Sequence, residues 1–166
     1  MGALPKVDHS KHLFTMIEQI SQPFPTQTVN SPQATINPKT LSEADWSKRL
    51  SEEQFRVARM GGTERAFTGA YWNLKDNGTY HCVCCGSELF SSEAKFDSGT
   101  GWPSFWEGLN LGAITTHRDS SLGLVRTEIR CANCDAHLGH VFGDGPAPTG
   151  QRYCVNSVSL RFEEAS

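Results

Sequence analysis

Four of the six cysteines form two C-x-x-C pairs, Cys82 with Cys85 and Cys131 with Cys134. Two residues between thiolates allow a tight turn to point both sulfurs at one tetrahedral ion, and two pairs leave no coordination position for water. This ligand set predicts one structural Zn²⁺. Iron bound by sulfur and redox use of either pair are alternatives. A disulfide framework is a weaker one, because the chain is long enough to fold around a core.

Cys84 and Cys154 remain once the four presumed ligands are set aside. A lone cysteine is usually a small buried residue without reactivity, and we interpret Cys84 as a bystander beside the metal site. Cys154 follows Arg152, whose positive charge would favour the thiolate if the two side chains are close. The thiolate is the nucleophilic form of cysteine, so Cys154 is the candidate nucleophile.

Two histidines and a tryptophan are candidates for a catalytic or binding role beside that thiol. His137 and His140 follow the second cysteine pair, whose ion already has four ligands. A solvated surface position is their ordinary alternative, but an imidazole near a cysteine can protonate a leaving oxygen or stabilise a thiolate. Trp102 follows Gly99 and Gly101, in a loop suited to presenting an indole to a ligand, although burial in the core is the commoner fate of tryptophan.

Charge and hydropathy exclude several classes of protein. The formal charge of −3 and the pI near 6.0 give no electrostatic basis for binding nucleic acid. No apolar run is long enough to span a bilayer, and the N-terminus lacks the basic and apolar regions of a signal peptide. We therefore expect a cytoplasmic protein that binds neither nucleic acid nor membrane. We also expect it to be a monomer.

The domain that positions these residues is expected to begin after a proline-rich segment. Residues 1–40 contain five of the eight prolines and are expected to form a partly extended arm. Residues 41–166 are expected to form the catalytic domain. Within it, Ser51 and Gln54 predict a capping box and a helix that stops at Gly61 and Gly62. A shorter helix around Trp46 is expected before it.

After Gly62 the pattern becomes that of short strands separated by glycine, asparagine and aspartate, which indicates a small antiparallel β domain. Alternation from Tyr153 to Phe162 predicts a single strand with Cys154 and Asn156 on the same face. Asn156 is a polar residue with little use in a core, so it is a further candidate for the site.

In their order along the chain, these residues and motifs resemble the methionine-R-sulfoxide reductase (MsrB) family. The resemblance runs from about Leu41 to Phe162. Besides the two C-x-x-C pairs, it rests on the segments Gly62-Thr63-Glu64-Arg65-Ala66-Phe67, Phe96-Asp97-Ser98-Gly99, Gly101-Trp102-Pro103-Ser104-Phe105, His137-Leu138-Gly139-His140-Val141-Phe142, Asp144-Gly145-Pro146 and Arg152-Tyr153-Cys154-Val155-Asn156-Ser157. Each segment is weak alone, whereas the ordered set is specific.

The resemblance implies a mainly β fold of two antiparallel sheets, with short N-terminal helices and a structural zinc site of four cysteines remote from the reaction centre. It also implies an enzyme that reduces methionine-R-sulfoxide, mainly in proteins, and so repairs them. Cys154 would attack the sulfoxide sulfur and become a sulfenic acid, a reversible state of the thiol. His140, with His137 near it, would protonate or stabilise the departing oxygen.

The resemblance also assigns the substrate contacts. Trp102 would pack against the methyl group of the sulfoxide and select one epimer by shape, and Asn156 would position the substrate. Phe142, Asp144 and Arg152 would complete the substrate site, with Asp144 orienting a histidine.

The sequence departs from the family where a second, resolving cysteine usually stands. Thr100 and Thr68 occupy the two usual positions, and Cys84 lies among presumed metal ligands. We therefore expect an external thiol or a thioredoxin-type protein to reduce the sulfenic acid directly. A zinc-stabilised binding module is a rival interpretation, but it gives no reason for Cys154, Asn156, Trp102 and the two histidines. A redox sensor that uses Cys154 without turnover is another.

Overall fold

The computed structural model describes residues 36–166. The expected proline-rich arm of residues 1–40 therefore lies almost wholly outside the described residues. Of the helices in the described part, none is long and apolar enough to cross a membrane.

Two short helices open the described chain, α1 (Glu43–Arg49) and α2 (Glu52–Ala58). The predicted capping box is present at α2: Gln54 N–H donates to Ser51 Oγ over 3.2 Å, and Ser51 N–H donates to Gln54 Oε1 over 3.0 Å. Helix α1 has its own capping box, between Ser42 and Asp45. The apolar faces of the helices bury Trp46, Val57 and Ala58, so α2 packs onto the β domain.

Nine strands follow, and all of their pairings are antiparallel. They are β1 (Gly78–Cys82), β2 (Glu88–Ser91), β3 (Lys95–Phe96), β4 (Ser104–Phe105), β5 (Ile114–Asp119), β6 (Arg126–Cys131), β7 (His137–Phe142), β8 (Arg152–Val155) and β9 (Leu160–Glu164). One sheet has the order β2-β1-β9 and the other the order β3-β4-β8-β7-β6-β5. The prediction of a mainly β fold with two antiparallel sheets is confirmed.

Aromatic rings from both sheets meet in the core. Phe90 of β2 stacks on Phe105 of β4 with ring centroids 4.3 Å apart, and Tyr80 of β1 lies 5.0 Å from Phe105 in an edge-on arrangement. All three residues are fully buried. Burial of apolar and aromatic surface is the main favourable contribution to folding, so this contact between the sheets is central to the stability of the domain.

The prediction of one strand from Tyr153 to Phe162 is wrong. Strand β8 ends at Val155, a 3-10 turn covers Ser157–Ser159, and β9 then joins the other sheet. The cause is the buried Glu64 carboxylate, which accepts hydrogen bonds from Ser157 N–H (2.7 Å) and Val158 N–H (3.0 Å). These two backbone donors are thereby taken out of strand pairing, and the chain crosses between the sheets.

Candidate active site and metal centre

The four paired cysteines converge on one point, as expected. The Sγ atoms of Cys82, Cys85, Cys131 and Cys134 all lie within 4.8 Å of one another. Cys82 and Cys134 are 3.6 Å apart, as are Cys85 and Cys131. A tetrahedral ion with metal–sulfur bonds of about 2.3 Å requires sulfurs about 3.8 Å apart. The four thiols therefore fit a metal ion of the size and softness of Zn²⁺.

Two tight turns build this cluster, one from each sheet. The β1–β2 turn is closed by Gly86 N–H donating to Cys82 O over 2.9 Å, and the β6–β7 turn by Asp135 N–H donating to Cys131 O over 2.9 Å. Gly86 and Asp135 have φ values of 76° and 60°, the left-handed conformation that such turns require. Cys84 lies in the first turn, where its thiol interacts with Cys134 and Cys82.

The candidate nucleophile lies in the six-stranded sheet. Cys154 pairs directly with His140 on β7 and with Ser104 on β4, so their side chains share one face. Gly139 allows this close approach, because a Cβ there would collide with the backbone carbonyl of Cys154.

Cys154 opens into a cavity of about 120 Å³, which we call the indole cavity. It is lined by Thr63, Trp102, Arg126, Gly139, His140, Phe142, Cys154, Val155 and Asn156. Five residues expected at the site are thus brought together: Cys154, His140, Trp102, Phe142 and Asn156.

Trp102 and Asn156 are both held by the segment around Glu64. Trp102 Nε1–H donates to the backbone oxygen of Glu64 over 3.1 Å. Asn156 Oδ1 accepts from Glu64 N–H over 3.0 Å, and its amide nitrogen donates to Leu138 O over 3.0 Å. Asn156 lies just past the end of β8, so its place in the cavity wall comes from these hydrogen bonds and not from a shared strand face.

Each histidine has a carboxylate partner that the sequence did not reveal. His140 Nε2 lies 2.8 Å from Asp119 Oδ2, which also accepts from Arg126 over 2.8 Å. Hydrogen bonds from the Ser121 hydroxyl and backbone, and then from His140, hold the pKa of Asp119 well below its usual range. Asp119 is therefore an anion at any neutral pH, and it fixes the orientation of the His140 ring.

His137 lies behind His140 and does not line the indole cavity. The two rings meet edge to face with centroids 5.6 Å apart, and His137 Nδ1 lies 2.6 Å from Glu128 Oε1. Burial lowers the pKa of His137, although Glu128 opposes this shift. Burial raises the pKa of Glu128, but hydrogen bonds from Arg130 and His137 lower it on balance. The pair is thus a buried neutral imidazole beside a carboxylate.

Asp144 does not orient a histidine, and that expectation is wrong. Its two carboxylate oxygens accept from Arg152 Nε over 2.9 Å and from a terminal nitrogen of the same guanidinium over 3.0 Å. The Arg152 guanidinium also stacks 4.4 Å from the centroid of the Phe142 ring. A bidentate pair of this kind fixes the plane of the guanidinium, so Arg152 is rigidly oriented.

Asp144 and Arg152 line a second opening, which we call the Thr100 groove. It has a volume of about 430 Å³ and is lined by Phe96, Asp97, Ser98, Thr100, Asp144, Gly145, Pro146 and Arg152. The structure therefore separates the expected substrate residues into two groups: Trp102 and Phe142 line the indole cavity, and Asp144 and Arg152 line the groove. The ring of Phe142 and the guanidinium of Arg152 stack at the boundary.

Opposing effects act on the pKa of the Cys154 thiol. Burial raises its pKa, while the positive charge of Arg152 and the Thr100 hydroxyl lower it. Burial prevails, so Cys154 is a neutral thiol in the resting protein. Arg152 does favour the thiolate, as its position in the sequence suggested, but its effect is smaller than that of burial.

The residues that sequence reasoning missed are Glu64, Asp119 and Glu128. Each is hydrogen-bonded to a residue of the site that is distant in the sequence. The separation is 92 residues between Glu64 and Asn156, 21 between Asp119 and His140, and 9 between Glu128 and His137. Alternation in β6 groups Glu128 with charged neighbours on one face, whereas the structure buries it beside His137. Strand register brings Asp119 and Glu128 to the histidines, whereas Glu64 reaches Asn156 from the segment between α2 and β1.

Comparison with known proteins agrees with this site. Residues 50–164 match the model of the SelR domain. A peptide methionine sulfoxide reductase MsrB of Synechococcus sp. (strain RCC307) is 67% identical over 128 residues, which cover 77% of this chain and 94% of that protein. The enzyme of the same name from Acinetobacter baylyi is 62% identical over 122 residues, 74% of this chain and 88% of that protein.

The matched region contains both cysteine pairs, Trp102, the two histidines and Cys154. The chain thus contains a SelR domain. It belongs to the methionine-R-sulfoxide reductase (MsrB) family.

Proposed function

We propose that this chain is a peptide-methionine (R)-S-oxide reductase that repairs oxidised proteins, with Cys154 as its nucleophile. The observation that carries the proposal is the placement of one thiol, free of the metal cluster, opposite an imidazole in a small cavity walled by an indole. The family relationship supports the same reaction. Residues 41–166 form the proposed catalytic domain, preceded by the proposed arm of residues 1–40.

The reaction begins when the Cys154 sulfur attacks the sulfoxide sulfur. The S–O bond breaks as the oxygen passes to Cys154, so the products are methionine and a Cys154 sulfenic acid. The thiol proton ends on that oxygen, and the first half of the reaction therefore needs no other reductant or net proton.

His140 is the proposed proton carrier between thiol and oxygen. A sulfoxide is a poor electrophile until its oxygen is protonated, so a nucleophile and an acid must converge on it. The position of His140 directly across from Cys154 supports this role. Asp119 accepts a hydrogen bond at Nε2 and thereby leaves Nδ1 as the nitrogen that can exchange a proton with the reacting groups. Glu128 holds the His137 ring by a hydrogen bond, and the His137 ring supports the His140 ring by an edge-to-face contact.

The shape of the indole cavity supports selection of one epimer. Trp102 and Phe142 offer apolar surface to the methyl group, and Asn156 closes the wall with its amide fixed by backbone hydrogen bonds. At about 120 Å³ the cavity suits the end of a methionine side chain, so the rest of a polypeptide substrate remains outside. Asp144 and Arg152 act next to the cavity, and not as its walls.

The metal proposed for the Cys82, Cys85, Cys131 and Cys134 cluster is one Zn²⁺. Four sulfurs near tetrahedral separation support zinc, which when bound supplies a structural cross-link and takes no part in the reaction. The thiols of the cluster need a reducing compartment, which supports a cytoplasmic location. The proposed oligomeric state is a monomer.

Recycling is proposed to use an external thiol or a thioredoxin-type protein. Thr100 and Thr68 stand where a resolving cysteine is usual, and the Cys84 thiol lies among the metal ligands. No other thiol is found in the chain to reduce the sulfenic acid.

The test is an assay of the separated R and S epimers with wild-type protein and Cys154→Ser. We expect wild type to reduce only the R epimer, and Cys154→Ser to lose at least about 10³-fold of that activity because the nucleophile is absent. The zinc content of both proteins should be equal. Cys84→Ser is the matched control and should keep activity. Activity that survives in Cys154→Ser would exclude the proposed nucleophile.

A further inference from the structure

The Thr100 groove lies near Cys154 and shares no lining residue with the indole cavity. Thr100 and Arg152 line the groove, and both are close enough to the Cys154 thiol to affect its ionisation. Ser98 Oγ lies 2.8 Å from Thr100 Oγ1 and 2.7 Å from Ser104 Oγ, and Ser104 pairs across the sheet with Cys154. A chain of hydroxyls therefore leads from the groove to the strand position beside the nucleophile.

The two openings differ in chemistry. The indole cavity presents Trp102, Phe142 and Val155, which suit a methyl group. The groove presents hydroxyls and charged groups, which suit a polar molecule that must exchange protons. At about 430 Å³ the groove is also larger than the indole cavity, at about 120 Å³.

The charges in the groove do not cancel. Arg152 and Asp144 neutralise each other as a bidentate pair. Asp97 is exposed, and its carboxylate oxygen accepts the backbone N–H of Gly99 over 2.9 Å. The Lys95 ammonium interacts electrostatically with Asp97, but it does not line the groove and donates to Trp72 O and Leu74 O. Among the residues that line the groove, the charges therefore sum to one negative charge, which attracts a cation and repels an anion.

Building on the proposed function, we propose that the Thr100 groove is the entry site for the reducing thiol, and that it favours small thiols carrying an ammonium group. The thiol reaches the Cys154 sulfenic acid through the groove while the indole cavity serves the sulfoxide. The position that would hold a resolving cysteine carries a hydroxyl here, and the space beside it admits an external sulfur.

The thiolate of the small thiol attacks Cys154 Sγ, an S–S bond forms, and the S–O bond breaks. The oxygen leaves as water after taking a proton, and the guanidinium of Arg152 stabilises the approaching thiolate. A second small thiol attacks the mixed disulfide at the sulfur of the first, which releases Cys154 and a small disulfide. Two thiols are oxidised for each sulfenic acid reduced.

The experiment compares 2-aminoethanethiol with 3-mercaptopropionate as reductants of the preformed sulfenic acid. The measured quantity is the ratio of their second-order rate constants in wild type, Asp97→Asn and Asp97→Lys. Because the ratio is compared between variants, the intrinsic difference in reactivity of the two thiols cancels. Asp97→Asn keeps an acceptor for Gly99 N–H, and Asp97 is exposed, so both variants should fold. Glu164→Lys, on the other sheet and also exposed, is the control for net charge.

We expect the ratio to fall about twofold to fivefold in Asp97→Lys, less in Asp97→Asn, and not at all in Glu164→Lys, as befits one exposed charge. The effect should vanish in about 1 M salt, where charges are screened beyond about 3 Å. An unchanged ratio in Asp97→Lys would overturn the entry site, and so would reduction by thioredoxin alone with neither small thiol active.

The yield of methionine in the first turnover, without any thiol, separates this test from the proposed function. One methionine per enzyme supports the reductase, and none refutes it whatever the ratio.

Discussion

His140 Nε2 lies 2.8 Å from Asp119 Oδ2. Because Nε2 is engaged in this hydrogen bond, Nδ1 is the ring nitrogen that remains for the proposed proton transfer. We propose that Asp119 acts through this hydrogen bond as a positioning residue for His140, the proposed proton carrier. Because the low pKa of Asp119 keeps it ionised, the imidazole is held in one orientation throughout the neutral range.

Asp119→Asn should lower the R-sulfoxide reductase rate by at least about tenfold, which is less than the loss of about 10²- to 10⁴-fold expected for His140→Gln. The reason is that an amide can hold the other tautomer of His140 and misdirect its proton. The pH profile of kcat should shift in Asp119→Asn, which a simple loss of stability would not cause. Asp76→Asn is the control, and an unaltered rate and profile in Asp119→Asn would contradict the positioning role.

The alkylation of Cys154 should report its raised pKa. Burial disfavours the thiolate, so the rate with iodoacetamide should stay below that of a free thiol at neutral pH and rise only at higher pH. Arg152→Met removes the charge that favours the thiolate and should move the alkylation profile to still higher pH. Mapping by mass spectrometry separates Cys154 from the other thiols. A profile in Arg152→Met equal to that of wild type would show that the guanidinium does not act on the sulfur.

Glu64→Gln should destabilise the domain by about 1–3 kcal/mol. The Glu64 carboxylate accepts from Ser157 N–H and Val158 N–H in a buried position, and the amide group of glutamine would turn a donor toward one of them. Urea unfolding measures the change. Glu53→Gln, at an exposed position of α2, should change stability by less than about 0.5 kcal/mol. Equal stability of the two variants would count against the role of Glu64 in ending β8.

Loss of one cysteine of the four-cysteine cluster should reduce the stability of the domain, because the proposed ion is structural and takes no part in the reaction. Cys131→Ser should reduce bound metal from about one ion per chain to near zero and lower Tm by about 10 °C or more, because the ion joins turns of the two sheets. Elemental analysis of wild type identifies the metal, with zinc expected and iron the alternative. A variant without metal that unfolds at the wild-type temperature would show that the cluster is not structural.

Thr100→Cys should convert the proposed recycling to an intramolecular one. The Thr100 hydroxyl already acts on the Cys154 thiol, so a sulfur at position 100 should form a disulfide with the sulfenic acid. Mass spectrometry after one equivalent of substrate should find a Cys154 disulfide in the variant. In wild type it should find the sulfenic acid without a bond to Cys84. A Cys84–Cys154 disulfide in wild type would overturn the single-cysteine scheme.

Local patterns carried the sequence predictions that succeeded. The capping box at Ser51 and the spacing of the cysteine pairs depend on residues two or three apart, and both are present. The failed prediction of a single last strand has a nonlocal cause. Alternation continues through Asn156, but the carboxylate of Glu64, 93 residues before Ser157, diverts the backbone. Asp119 could not be assigned to His140 for the same reason, since their contact depends on the pairing of β5, β6 and β7.

The order of the cysteines along the chain has a consequence for biosynthesis. Cys82, Cys85, Cys131 and Cys134 all precede Cys154, and the two turns that carry them close through local hydrogen bonds. The polypeptide emerges from the ribosome N-terminus first, so these four sulfurs become accessible to an ion before Cys154 emerges. A bound ion would then keep the four sulfurs from pairing with the Cys154 thiol when that thiol emerges.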